Sequence, residues 1–317
     1  MSCRRQACTQ ECLSAEESLC RPVSRRRSRL SRAAATGRTI IAVVWAVAVV
    51  RIASHGGGAT AVRRGSWALH RVSATALAAL GVRTQVTGRP RSGAALVVGN
   101  HVSWLDILVL SAGAPMRQVA KSEIRDWPII SGIGRRTGTI FLDRFRLRGL
   151  PDVVDQVARA LRQGHKVQGF PEATTRCGDA IGEFHRCLFQ AAIDAAVAVA
   201  PVTLQYLDAE GRRTTAPAFL GDETLIDSVR RVLALRGLQV RVHWLPAIPA
   251  IAGTGKPAVD RARLSTLVER AVARDLGVPV VLRTSRRTVP EAAAPMSLAL
   301  RRQPGSGRND PASTAAA

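Results

Sequence analysis

Lysine is almost missing from this 317-residue chain. Only Lys121, Lys166 and Lys256 occur, so arginine supplies nearly all of the 46 basic side chains, which outnumber 23 acidic ones and leave a net charge of +23. Aromatic residues are 4% of the chain and Tyr206 is the single tyrosine, so the stacking platform used by single-strand binders is absent. Zinc-finger spacings and basic-zipper patterns are absent too, and nucleic acid is not the expected partner. There is no Gly-x-Ser-x-Gly elbow and no His-Glu-x-x-His helix. Gly255-Lys256 lacks the upstream glycine of a phosphate-binding loop, because Ala250 occupies that place. Hydrolase, metalloprotease and P-loop readings therefore lose their best evidence. No Cys-x-x-Cys pair exists. Cys3, Cys8, Cys12 and Cys20 stand in an arginine-rich leader at spacings that match no common zinc pattern, and Cys177 and Cys187 read as free thiols. No apolar run reaches the roughly 20 residues of a membrane-spanning helix.

The charge that is present is spread through the chain. Residues 1–38 carry nine Arg and three Glu, and residues 285–317 carry five Arg, one Glu and one Asp. The middle still keeps +14. A folded region this basic expects an anionic membrane surface, an acidic carrier or a phosphate-bearing substrate.

Residues 1–36 read as a disordered basic leader. Residues 37–82 hold two apolar stretches, Thr39–Val50 and Ser66–Val82, joined through His55-Gly56-Gly57-Gly58. With their basic flanks they are expected to lie at a membrane interface as a helical hairpin, or else to pack on the protein's own core. From 83 to 284 short strands alternate with helices, the signature of a layered α/β domain. Strands are expected at Val82–Val86, Ala94–Val98, Arg117–Lys121, Thr139–Leu142, Lys166–Phe170, Val197–Leu207 and Gln239–Trp244. Helices are expected at Ser103–Ser111, Trp127–Arg136, Pro151–Gln163, Arg186–Ala196, Thr224–Leu235 and Val259–Leu276. Residues 285–317 read as a disordered tail.

The chemistry-bearing pair is His101 and Asp106, just after the strand Ala94–Val98. Strand ends in α/β proteins collect functional groups. Five residues on an ideal helix turn through about 500°, which leaves the two side chains roughly 140° apart. They meet only if His101 precedes the regular helix and folds back. Asn100 and Ser103 are suitable N-cap residues for a helix starting there. A carboxylate on one imidazole nitrogen would fix the tautomer and leave the other nitrogen to take a proton. Taken alone, His101 suits a capping or partly buried histidine equally well.

It does not stand alone. Asn100-His101-Val102-Ser103-Trp104-Leu105-Asp106 resembles the His-x4-Asp motif of the lysophosphatidic acid (1-acyl-sn-glycerol-3-phosphate) acyltransferase family. Gly138-Thr139-Ile140-Phe141-Leu142-Asp143-Arg144 is similar to that family's second motif. Phe170-Pro171-Glu172-Ala173-Thr174-Thr175-Arg176 is similar to its third, and Val199-Ala200-Pro201-Val202 to its fourth. Lys121-Ser122-Glu123 looks like a segment found before the second motif. The four blocks fall in the family's order, over roughly residues 67–250.

The resemblance implies a single α/β domain with a mixed central sheet flanked by helices, and acyl transfer from a thioester to a lysolipid hydroxyl. His101 then resembles the general base and Asp106 its orienting carboxylate. Arg144 resembles the group that holds the acceptor's phosphate, and Glu172, Thr174, Thr175 and Lys121 belong to the substrate site. The acyl donor would be acyl-CoA or acidic acyl carrier protein, with no metal and no other cofactor. The implied location is the cytoplasmic (inner) membrane, with the site on its cytoplasmic side. Phosphatidic acid is the expected product. A lyso-ornithine lipid acyltransferase is the alternative that Thr174-Thr175 and Gly221-Asp222-Glu223-Thr224-Leu225 suggest, and a non-catalytic membrane-binding paralogue is a third reading. Three positions depart from the family. Ala173 replaces a glycine, where a positive φ would strain it. His185 and Cys187 replace the lysine and glycine of Phe-Lys-x-Gly.

Overall fold

The computed structural model describes residue 8 and residues 26–143, 149–221, 223–251 and 253–282. Most of the leader and the whole tail expected from residue 285 lie outside these. Two long helices come first, α1 (Arg29–Ala53) and α2 (Gly58–Leu80). They are followed by β1 (Arg83–Thr87), β2 (Ala95–Gly99), α3 (Leu105–Gly113), β3 (Arg117–Lys121), α4 (Pro128–Thr137) and β4 (Ile140–Leu142). Then come α5 (Leu150–Arg162), β5 (Lys166–Gly169), β6 (Ile181–Gly182), α6 (Cys187–Asp194) and β7 (Val199–Leu207). α7 (Leu225–Ala234), β8 (Gln239–Trp244), α8 (Pro257–Leu276) and β9 (Val280–Val281) complete the order.

Seven strands form one sheet in the order β1-β8-β7-β2-β5-β3-β4. All neighbouring pairs are parallel except β7 with β8. The sheet is therefore mixed, as the resemblance implied. β6 and β9 pair separately, and neither was visible in the sequence. Buried strands alternate their side chains between the two faces, and β2 does so with every residue buried. Ala95 and Val97 join a cluster with Leu105 and Val109 of α3 and Val232 of α7. Leu96 and Val98 join Val157 and Leu161 of α5, Phe189 of α6 and Val268 of α8 on the other face. Helices therefore cover both sides of the sheet.

α5 shows why these segments become helices. Val153, Val157 and Leu161 recur at four-residue spacing and are buried. Proline and Asp152 occupy the first turn, and Arg159 and Arg162 the last, each sign facing the favourable end of the helix dipole.

The first two helices differ from expectation. α1 begins at Arg29, so residues 29–36 are helical rather than part of a disordered leader. Ser28 caps it by accepting from the Ser31 amide at 3.3 Å. The apolar run is thereby extended into a 25-residue helix that is long and apolar enough to cross a membrane by length and composition. Only Ala35, Ala42 and Val50 of α1 are buried, while Ile40, Ile41, Val44, Trp45 and Ile52 are exposed. α2 buries nine residues, among them Leu69, Val72, Leu77 and Leu80. The inner helix thus belongs to the core, and the outer helix presents the apolar surface.

Candidate active site

β2, β5, β3 and β4 are adjacent and parallel, so their C-terminal ends share one edge of the sheet. That edge is where ligands bind in open α/β sheets. His101 follows β2, Phe170 and Glu172 follow β5, and Lys121 ends β3. Asp143 follows β4. Arg144, the expected phosphate contact, lies outside the described residues.

Gly99 ends β2 against β7, where an added Cβ would meet the Val202 carbonyl oxygen at 2.2 Å. The chain then leaves the sheet, and His101 sits ahead of α3 as its spacing to Asp106 demanded. His101 Nδ1 lies 2.8 Å from Asp106 Oδ2. The same oxygen accepts from the amides of Val102 at 2.7 Å and Ser103 at 2.9 Å. Asp106 itself therefore satisfies the free donors at this helix start, where the dipole also favours a negative charge. Asn100 does not cap the helix as expected. Its Nδ2 donates to the Leu204 carbonyl at 2.8 Å, and its Oδ1 accepts from the Leu204 amide at 2.9 Å. The residue before the helix is Trp104, which makes no side-chain cap, while Ser103 Oγ accepts from the Leu105 amide at 3.4 Å.

The third block braces the first. The His101 amide donates to Glu172 Oε1 at 2.8 Å, and the His101 carbonyl accepts from the Arg176 amide at 2.8 Å. The imidazole stacks on Phe170, with centroids 3.8 Å apart. Both backbone groups and the ring face of His101 are thus held by one turn.

Glu172 is buried, and its second oxygen accepts from the Gly182 amide at 2.6 Å and pairs with Arg176 Nε at 3.2 Å. Burial pushes this carboxyl up to about 8, while the two amides and Arg176 pull it back. Its oxygens are spent on the protein's own backbone rather than turned to open solvent. Ala173 has a φ of 59°, the left-handed conformation that its replacement of glycine foreshadowed. Thr174 and Lys121 are exposed on this side. Thr175 donates its hydroxyl to the Phe219 carbonyl. The His185 amide donates to the Pro171 carbonyl at 2.9 Å.

Three contacts escaped the sequence. Tyr206, far along the chain on β7, donates to Asp106 Oδ1 at 2.5 Å. The Arg176–Glu172 pair joins two residues of one block. Cys8, expected in an unstructured leader, has its Sγ 3.5 Å from that of Cys177. Nothing in composition or spacing announced the first or the last. The four-residue interval between Glu172 and Arg176 was a usable signal for the second. Among the described residues no three His, Cys, Asp or Glu side chains gather as a metal site would require.

With Asp106 Oδ2 accepting, Nδ1 carries the proton and Nε2 keeps its lone pair. The His101 side chain is 19% exposed and that of Asp106 is fully buried, so a substrate reaches the imidazole and not the carboxylate. An imidazole oriented and charge-compensated in this way is the equipment of an enzyme that takes a proton from an alcohol.

A family model described as Acyltransferase matches residues 83–205. A 1-acyl-sn-glycerol-3-phosphate acyltransferase of Neisseria gonorrhoeae is 35% identical over 208 residues, covering 65% of this chain and 80% of that protein. A lyso-ornithine lipid O-acyltransferase of Pseudomonas aeruginosa is 34% identical over 196 residues, 62% of this chain and 72% of that one. The crystal structure of a 1-acyl-sn-glycerophosphate acyltransferase from Thermotoga maritima shares the fold, with a TM-score of 0.54 at 19% identity, covering 81% of this chain and 97% of that chain. The chain belongs to the acyltransferase family in which these 1-acyl-sn-glycerol-3-phosphate and lyso-ornithine lipid enzymes stand.

Proposed function

We propose that this acyltransferase esterifies the free hydroxyl of 1-acyl-sn-glycerol-3-phosphate and so makes phosphatidic acid. The observation that carries the reading is the 2.8 Å contact between His101 Nδ1 and Asp106 Oδ2, with no hydrogen-bond partner on Nε2 among the described residues. His101 Nε2 takes the proton of the lysolipid hydroxyl. The oxygen forms its ester bond to the thioester carbonyl carbon as the carbon–sulfur bond breaks. The thiolate leaves and recovers the proton from the imidazolium. The bond exchange needs no metal and no cofactor beyond the thioester substrate, which is acyl-CoA or acyl carrier protein. Arg144 is assigned to the acceptor's phosphate, since a guanidinium grips phosphate through two parallel hydrogen bonds. Lys121, Thr174 and Thr175 border the same edge. Glu172 serves it by holding the loop that carries His101. The chain works at an anionic membrane, which we take to be the cytoplasmic membrane with the site on its cytoplasmic face, and the exposed face of α1 supports membrane contact.

Lyso-ornithine lipid is the second acceptor to consider, because relatives with that activity match nearly as well. Purified protein in detergent, supplied with one acyl thioester and each lysolipid in turn, decides between them. Faster turnover of 1-acyl-sn-glycerol-3-phosphate is expected. A preference for lyso-ornithine lipid would sink the assignment of the acceptor while leaving the base in place.

A further inference from the structure

The one tyrosine of the chain lies 100 residues from Asp106 and has no part in the proton transfer described above. Tyr206 is buried near the C-terminal end of β7. Its hydroxyl donates to Asp106 Oδ1 at 2.5 Å. The other carboxylate oxygen already carries His101 Nδ1 and two backbone amides. Among the described residues Tyr206 is the donor on Oδ1. A carboxylate without solvent that lacks a donor on one oxygen is a costly arrangement. Burial and the neighbouring Asp106 charge drive the phenol well above its usual range, with Ser103 pulling the other way. The hydroxyl therefore remains a donor at any pH where the enzyme works.

We infer that Tyr206 is the positioning residue of the base pair: by bonding Oδ1 it fixes the rotation of the Asp106 carboxylate, keeps Oδ2 on His101 Nδ1, and draws charge away from Oδ2. The inference rests on the acyl-transfer reading for its kinetic consequence, but the contact itself is testable without turnover. Charge drawn toward Oδ1 weakens the hold of Asp106 on the imidazolium. Removing the phenol hydroxyl returns that charge to Oδ2 and also frees the carboxylate to rotate, so the hydrogen bond between Oδ2 and His101 Nδ1 changes. The other titratable groups beside the pair are Glu172, its carboxyl pushed up to about 8 by burial, and Arg176, both from the turn braced against His101. Cys8, its Sγ 3.5 Å from that of Cys177, is the thiol that acts on Glu172. Phe170 covers the ring face of His101 and carries no charge.

The test combines two changes of opposite sign at one site. Tyr206→Phe removes the donor. Growth on 3-fluorotyrosine strengthens it, and because Tyr206 is the sole tyrosine the label falls on this residue alone. For Tyr206→Phe, kcat is expected to fall about 10- to 100-fold with KM for both substrates little changed. Fluorination moves the acid limb of kcat/KM to lower pH, and Tyr206→Phe displaces it from its wild-type position. Placed on Asp106→Asn, Tyr206→Phe costs little further, since the two act as one unit. Nitrogen-15 NMR of labelled histidine, with the His101 signal identified from its loss in His101→Ala, reads the same titration without substrate. If His101 titrates alike in wild type, Tyr206→Phe and fluorinated protein, the inference is overturned even where kcat has dropped. If wild type transfers no acyl group but His101 shifts as described, the positioning stands and the functional reading fails. The fluorinated protein keeps the side chain in place, so it decides the matter should Tyr206→Phe not fold.

Discussion

The Phe170 ring lies flat against the His101 imidazole, centroids 3.8 Å apart and planes 4° from parallel. One residue after β5 thus holds the face of the group that follows β2. An imidazole with its edge on Asp106 and its face on Phe170 has little freedom to turn. Phe170→Ala leaves the edge contact but frees the ring. Misplacement of about 1 Å in such groups costs on the order of 10²-fold. The expected result is a fall of that size in kcat with the protein still folded, measured as initial rates beside a circular dichroism spectrum. Phe170→Tyr keeps the stack and should retain most of the activity.

Ala173 adopts a φ of 59° beside Glu172. Left-handed backbone costs an L-residue roughly 1–2 kcal/mol, of which a glycine gives part back through its freer unfolded chain. Ala173→Gly is expected to stabilise the protein by about 0.5–1 kcal/mol, read as a higher midpoint in urea denaturation. The same change at Ala191, buried inside α6, should destabilise instead.

Glu172 gives stability a definite pH dependence. Its carboxyl rises from 4.5 to about 8 on burial, so the folded state binds the proton more tightly than the unfolded one. The contribution is complete below about 4.5 and is lost as pH climbs to 8. Glu172→Gln removes this proton but makes an amide group face a backbone donor at every pH. Unfolding free energies at pH 5 and pH 8 should therefore converge, with wild type losing more of its stability on going up in pH than the variant. A wild-type advantage that grows with pH would contradict the shift.

The outer face of α1 carries Ile41, Val44 and Trp45 in the open. Burying one large apolar side chain is worth about 1.5–3 kcal/mol. Ile41→Asp with Trp45→Asp should release the protein from anionic vesicles in a sedimentation assay. Activity toward a lysolipid dispersed in detergent should persist, because both side chains are exposed on α1 and bear none of the contacts that hold His101.

Much of the sheet and its helices was legible for local reasons. α5 announces itself by Val153, Val157 and Leu161 at helical spacing, and β8 by alternation along Gln239–Trp244. Counting residues around a helix gave the condition for a His101–Asp106 encounter, and the family resemblance gave the expectation that the two pair. What stayed hidden was long-range. Asn100 looked like a cap because the sequence cannot show that Leu204 supplies both of its partners. Tyr206 reaches Asp106 only because β7 lies beside β2. β6 and β9 have two residues each, too short for any periodicity to register. α1 was underestimated because Arg32 and Arg38 interrupt the apolar run without interrupting the helix.

His101 is the proposed proton acceptor in acyl transfer to a lysolipid. The direct measurement follows product formation from acyl thioester and 1-acyl-sn-glycerol-3-phosphate by wild type and His101→Ala, with folding checked in each. A general base contributes about 10²- to 10⁴-fold, so the variant should lose at least that much in kcat while its KM for the thioester changes little. A His101→Ala enzyme that turns over at the wild-type rate would show that His101 does not take the proton.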